Sequence, residues 1–164
     1  MRSAANALAF IALGANIDDP VGRVFEAMRL LDAAPLGRRV ARSSLYRTAP
    51  VGVLDQPDFI NAVVSLQTTL APLALIEGLL GLEEKLGRVR AQRNGPRRID
   101  LDLLAYDARR IDIPRLQLPH PRATGRAFVM VPWAEIAPGF EIEGSTVSDI
   151  AARMPRHDIA RIDA

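Results

Sequence analysis

The chain has 164 residues, 49% of them hydrophobic and 24% charged, with a mean hydropathy of +0.08, which suits a globular domain and argues against disorder. At this length a chain buries roughly 70% of its extended surface, so one real core is within reach. There is no cysteine, which excludes disulfides, thiolate metal sites and cysteine nucleophiles; the net charge is only +2, but the pI of about 9.6 fits an anionic ligand.

No apolar run approaches the roughly 20 residues of a membrane helix. Arg2 followed by Ala7–Ala15 has the outline of a signal peptide, but its basic region is a single arginine and its apolar stretch is short. A first buried strand over 8–14, ending in the turn Gly14-Ala15-Asn16, is the better reading, and it makes a cytoplasmic protein the expectation. Asp18, Asp19 and Pro20 then open a helix over 20–33, with Val24, Ala27, Met28 and Leu31 at helical spacing. Residues 38–48 read as a strand with Val40, Ser44, Tyr46 and Thr48 on one face. A loop over 49–57, marked by Pro50, Gly52 and Pro57, leads to a strand over 58–69. Pro72 opens an amphipathic helix over 72–86.

An arginine-rich loop spans 87–98. It holds Arg88, Arg90, Arg93, Arg97 and Arg98, with no acidic residue among 88–99 to pair with them. Arginine forks match phosphate oxygens and stay charged, so a loop that closes over a polyphosphate is one reading, and a solvated or nucleic-acid-facing loop the other. The turn Asn94-Gly95-Pro96 delivers the next strand, Ile99-Asp100-Leu101-Asp102-Leu103-Leu104. Its two carboxylates, two residues apart, share one face. Carboxylates on an otherwise apolar strand need compensation; a metal ion beside polyphosphate is one reading and a strand with one face exposed to solvent the other.

Residues 109–118 read as short extended pieces, 125–136 as a helix interrupted by Pro132, and the tail from 145 as space for one more short helix. His120, between Pro119 and Pro121, is held extended; taken alone it reads as an ordinary surface histidine, with a phosphate contact or an acid as the functional reading, and His157 has no supporting context. Phe59 and Asn61 share a strand face, an aromatic plate beside an amide, which suits a flat heterocycle, with Phe128 as a second plate; taken alone Phe59 reads as plain core. Neither G-x-x-x-x-G-K-[ST] nor G-x-G-x-x-G occurs, so bound nucleotide phosphate would rest on arginines and metal. The order β-α-β-β-α-β with an extension predicts a ferredoxin-like α+β sandwich, an antiparallel sheet flanked by helices, in a single domain over 1–164.

The pieces Gly14-Ala15-Asn16, Ser44 to Gly52, Asp55 to Asn61, Gly87-Arg88-Val89-Arg90, Gly95-Pro96-Arg97, Asp100-Leu101-Asp102 and Leu118-Pro119-His120-Pro121 with Arg126 and Phe128 together resemble the 6-hydroxymethyl-7,8-dihydropterin pyrophosphokinases of folate biosynthesis. The resemblance implies transfer of the β,γ-diphosphate of ATP to the pterin hydroxymethyl group, releasing AMP, with two Mg2+ ions. By position it implies Asp100 and Asp102 as metal ligands. Arg88, Arg90 and Arg97 join them as catalytic residues. Glu83, Arg88, Arg97, Leu103, Arg115, His120 and Arg126 would lie around ATP. Thr48, Ala49, Val51, Phe59, Asn61 and Phe128 would lie around the pterin. The chain departs from common members of the family at Ala49, Phe59, Asn94, Gln117 and Pro121. A monomer without nucleic-acid or membrane partners is expected. The alternative is a nucleic-acid-binding ferredoxin-like module, which should expose aromatics on its sheet.

Overall fold

The computed structural model describes residues 6–33, 35–87 and 95–163. In chain order its elements are β1 (Ala7–Ala15), α1 (Pro20–Leu31), β2 (Arg38–Arg42), β3 (Leu45–Thr48), β4 (Phe59–Thr68), α2 (Pro72–Lys85), β5 (Asp100–Tyr106), β6 (Ile111–Ile113) and β7 (Leu116–Leu118). A 3-10 turn at Ala123–Gly125 follows, then α3 (Ala127–Ile136), β8 (Glu141–Ile142), β9 (Ser145–Thr146), α4 (Val147–Ala152) and β10 (Ile159–Ile162).

The main sheet is antiparallel throughout, in the order β10-β3-β4-β1-β5, with β2 also paired to β4. This is the expected α+β arrangement: β1 lies between β4 and β5, and each of α1 and α2 crosses over one antiparallel strand. The stretch Ala7–Ala15 is thus a central strand. Its alternation decides the layering. Ala7, Ala9, Ile11, Leu13 and Ala15 join Ile60, Ala62, Val64 and Leu66 of β4 in a core under α1 and α2. Phe10 faces the other way and packs with Val63, Leu104, Ala105, Met130 and Trp133 in a second core under α3 and α4. Helices therefore pack on both faces of the sheet, whereas a nucleic-acid module of this fold would present an open, aromatic face.

Four expectations need correction. Residues 38–48 form two strands, because Ser43 interrupts the ladder: its hydroxyl accepts the Val63 N–H at 2.9 Å while its own N–H goes to the Val63 carbonyl. The register also shifts between Arg39 and Ala41, which puts Val40 outward, 56% exposed, off the face assigned to it. Pro132 does not interrupt α3; it lies inside a continuous helix, where burial of Val129, Met130 and Trp133 compensates for the lost backbone hydrogen bond. The tail contains, besides the short helix α4, the strand β10, which pairs with β3 at the sheet edge.

One tie fixes α3 across this edge. The Glu135 carboxylate accepts the Tyr46 hydroxyl at 2.6 Å, the Ser44 N–H at 2.8 Å and the Ser44 hydroxyl at 2.9 Å. Burial together with this neighbour pushes the Tyr46 hydroxyl up to about 12. For Glu135, burial pulls upward, but the bonds from Tyr46 and Ser44 outweigh it and hold the carboxyl below its ordinary 4.5. A carboxyl lowered by folding contributes stability that is present above the unfolded value and lost as pH falls through the folded one. Glu135→Leu should lower stability by about 1–2 kcal/mol, because the Ser44 and Tyr46 donors lose a charged acceptor. Urea unfolding followed by the fluorescence of Trp133, the sole tryptophan, checks this; an unchanged midpoint contradicts it.

Candidate active site

α3 covers only part of its sheet face. Beyond it, side chains shrink from Phe10 to Ala12 to Gly14 along β1, and the uncovered end becomes a cleft. Cross-strand register places the site in rows. Asp100 of β5 stands opposite Gly14, Gly14 opposite Asn61, and Asn61 opposite Tyr46; Asp102 stands opposite Ala12. Directly opposed residues share a face, so both carboxylates and Asn61 point into the cleft. Gly14 matters because a Cβ there would lie 2.7 Å from Asn61 Oδ1. The Asn61 amide is fixed from its other end, donating from Nδ2 to Thr48 Oγ1 at 2.6 Å.

Two cavities adjoin. The first, about 370 Å3, is walled by Ala12, Gly14, Thr48, Ala49, Val51, Phe59, Asn61 and Phe128, and at its outer rim by Pro155, His157, Asp158 and Ile159. The second, about 570 Å3, is walled by Glu83, Leu101, Leu103, Arg115, Leu116, Gln117, His120, Pro121 and Arg122. Four residues line both: Arg97, Asp100, Asp102 and Arg126. The Arg97 and Asp100 side chains approach to 4.0 Å, and the Arg126 guanidinium sits 5.6 Å from the centre of the Phe128 ring. One end of each cavity is thus cationic and carboxylate-bearing, and this end is common.

The residues suggested for the pterin all line the first cavity. Those suggested for ATP all line the second, except Arg88, which with Arg90 and Asn94 lies outside the described residues. Glu83 is only 2% exposed, and one carboxylate oxygen accepts the Leu101 N–H at 2.7 Å, so part of its work is to hold the strand between the two aspartates. Arg115 pairs with Glu77 at 3.1 Å on the outer wall.

His120 is positioned by its own N–H, which donates to the Leu104 carbonyl, and its Nδ1 accepts the Arg122 N–H at 3.1 Å. The proton of the neutral ring therefore belongs on Nε2, where it can be donated to a phosphate oxygen. Burial, then the charges of Arg126 and Arg122, hold the imidazole below its ordinary 6.5.

Among the described residues no cluster of three or more acidic or histidine ligands exists. The donor set at the junction is two carboxylates, all hard oxygen. That suits Mg2+, which binds through one or two carboxylates and takes its remaining ligands from water and substrate phosphates.

Two groups of residues escape the sequence reading. Asn16 stands out there only as part of a motif, yet it is 2% exposed and bonded to two loops. Pro155, His157, Asp158 and Ile159 reach the first cavity because β10 pairs with β3 and the Asp158 carbonyl accepts the Ala49 N–H. His157 and Asp158 pair at 2.9 Å on this rim. Four residues of weak alternation give no signal for that pairing.

The profile of the 7,8-dihydro-6-hydroxymethylpterin-pyrophosphokinase (HPPK) family matches residues 10–138. The chain belongs to this family. It is 46% identical over 155 residues to the 2-amino-4-hydroxy-6-hydroxymethyldihydropteridine pyrophosphokinase of Methylorubrum extorquens, covering 94% of this chain and 98% of that one. It is 40% identical over 154 residues to the enzyme of the same name from Pseudomonas aeruginosa, covering 93% and 95%. The fold is similar to that of Plasmodium falciparum HPPK-DHPS with pterin and p-hydroxybenzoate, at a TM-score of 0.71 and 14% identity. That match covers 93% of this chain and 44% of the other, so this chain spans less than half the length of the Plasmodium protein. Among the described residues no helix is long and apolar enough to cross a membrane.

Two outcomes follow for this site. Gly14→Ala should push the Asn61 amide off its bond with Thr48 and weaken ligand binding in the first cavity at least tenfold with the fold retained; calorimetry with a pterin ligand measures it, and unchanged affinity contradicts it. The His120 imidazole should titrate below pH 6.5 in the ligand-free protein, which NMR of the ring carbons reads directly; a midpoint above 6.5 contradicts the assigned environment.

Proposed function

We infer that this chain is one diphosphotransferase domain that moves the β,γ-diphosphate of ATP onto 6-hydroxymethyl-7,8-dihydropterin, giving AMP and the pterin diphosphate in folate biosynthesis. The observation that carries the site assignment is the sharing of Arg97, Asp100, Asp102 and Arg126 by two cavities of different chemistry. A flat heterocycle in one and a polyphosphate in the other meet where the carboxylates and guanidinium groups converge.

In this reading Phe59 and Phe128 sandwich the pterin, while Asn61, Thr48 and the backbone at Ala49 and Val51 read its edge. The second cavity takes ATP, with Glu83, Leu103 and Arg115 on the nucleotide side and His120, Arg126, Arg97 and Arg88 on the phosphates. Arg88 and Arg90 act from the segment between Gly87 and Gly95. Asp100 and Asp102 would hold two Mg2+ ions, which when bound would offset the charge of the phosphates. The hydroxymethyl oxygen forms its bond to the β-phosphorus as the bridging bond to the α-phosphate breaks. The electron pair leaves on AMP, and the hydroxyl proton passes to solvent. The barrier is mainly one of charge and alignment, so fixed cations and positioning do most of the work. Arg97 contributes from both sides of the junction, and Arg126 holds Phe128 while facing the phosphates.

The protein mixed with ATP, Mg2+ and hydroxymethyl-dihydropterin should release AMP; ADP would overturn the reading. Asp100→Ala should lower turnover by at least a thousandfold while pterin affinity changes less than tenfold, since the carboxylate serves the phosphates and not the ring. Near-normal turnover would remove Asp100 from the metal site.

A further inference from the structure

We propose that Asn16 is a positioning residue that locks the loop over the pterin cavity and Arg97 into one frame. This deepens the assignment above and rests on it. Asn16 closes β1 and is 2% exposed. Its side-chain Nδ2 donates to Gln56 Oε1 and to the Pro57 carbonyl, each at 2.9 Å. Its Oδ1 accepts the Arg97 N–H at 2.8 Å, and its backbone N–H donates to the Arg97 carbonyl at 2.9 Å. One amide group thus uses both its donor hydrogens on one loop and its acceptor on another. Gln56 passes the tie onward, donating from Nε2 to the Val53 carbonyl at 2.6 Å. The loop so held carries Val51 and Ala49, which wall the first cavity, and Arg97 lies at the junction with the second.

The amide is chemically two-sided, and no other side chain of its size is. A carboxylate keeps the acceptor toward Arg97 but sets oxygen against two acceptors, Gln56 Oε1 and the Pro57 carbonyl. Gln56 could present its Nε2 only by giving up its bond to the Val53 carbonyl, and the Pro57 carbonyl cannot turn at all. Asn16→Asp therefore releases the pterin loop and leaves Arg97 held, whereas Asn16→Ala removes both ties. A purely structural asparagine would lower stability in either variant without separating the two substrates.

The test is steady-state kinetics with each substrate varied, plus calorimetry with a non-hydrolysable ATP analogue and Mg2+. Asn16→Asp should raise pterin KM about tenfold, with kcat and affinity for the ATP analogue within threefold of the parent. Asn16→Ala should show the same rise and also lose at least tenfold in kcat. Gln56→Ala, which cuts the tie from the loop side, should raise pterin KM in the same way, and adding it to Asn16→Asp should cost less than the product of the single effects. A folded Asn16→Asp protein with parental pterin KM would overturn the proposal, as would a parental Gln56→Ala. If Asn16→Asp fails to fold, as judged by Trp133 fluorescence, Gln56→Ala decides. Failure of the underlying cavity assignment looks different: the parent protein itself would not bind pterin or the ATP analogue.

Discussion

The whole arrangement depends on placing two like charges at the edge of an apolar sheet. Asp100 and Asp102 point to one side of β5, while Leu101 and Leu103 point to the core under α1 and α2. Two carboxylates cannot be buried among such neighbours without cations. The fold meets this by leaving the end of the sheet uncovered, so that the pair stays partly hydrated, and by bringing Arg97 and Arg126 to the same place. The strand itself is held by the Glu83 carboxylate on the Leu101 N–H.

The rest of the molecule follows from keeping that end open while everything else is closed. α1 and α2 cover one face, and α3 with α4 covers the other up to Phe10 and Val63. The aromatic group of Phe10, Trp133 and Phe140, with ring centres 4.9–5.5 Å apart, fills the closed part. Small residues, Ala12 and Gly14, begin where the helix ends. The size gradient along one strand therefore separates core from cleft.

Much of this is legible in the chain. Periodicity marks the strands and helices from β1 to β5, with β2 and β3 read as one strand, and hence the topology, because most of those segments have a face to bury. The spacing of Asp100 and Asp102, and of Phe59 and Asn61, is enough by itself to put each pair on one face of a strand. What is not legible depends on long-range pairing. β10 is four residues long, and only its partner β3 makes it a strand. The break at Ser43 rests on a hydroxyl standing in for a backbone carbonyl, which no local propensity encodes. Pro132 misleads because a proline's cost inside a helix is weighed against tertiary burial, and the burial of Trp133 is invisible from sequence.

The transverse register that places Asp100, Gly14, Asn61 and Tyr46 side by side also acts as a ruler. Strands in a sheet lie about 4.8 Å apart, so Asn61 and Asp100, two strands removed, have backbones roughly 10 Å apart. That separation is set by backbone hydrogen bonds and cannot relax the way a side chain can. Under the proposed assignment, a ring held at Asn61 would have its reactive arm measured out against the carboxylates by the sheet itself. Selection among related heterocycles would then be a matter of length as well as of edge pattern, and an arm one atom longer or shorter would be read as misalignment at the phosphorus.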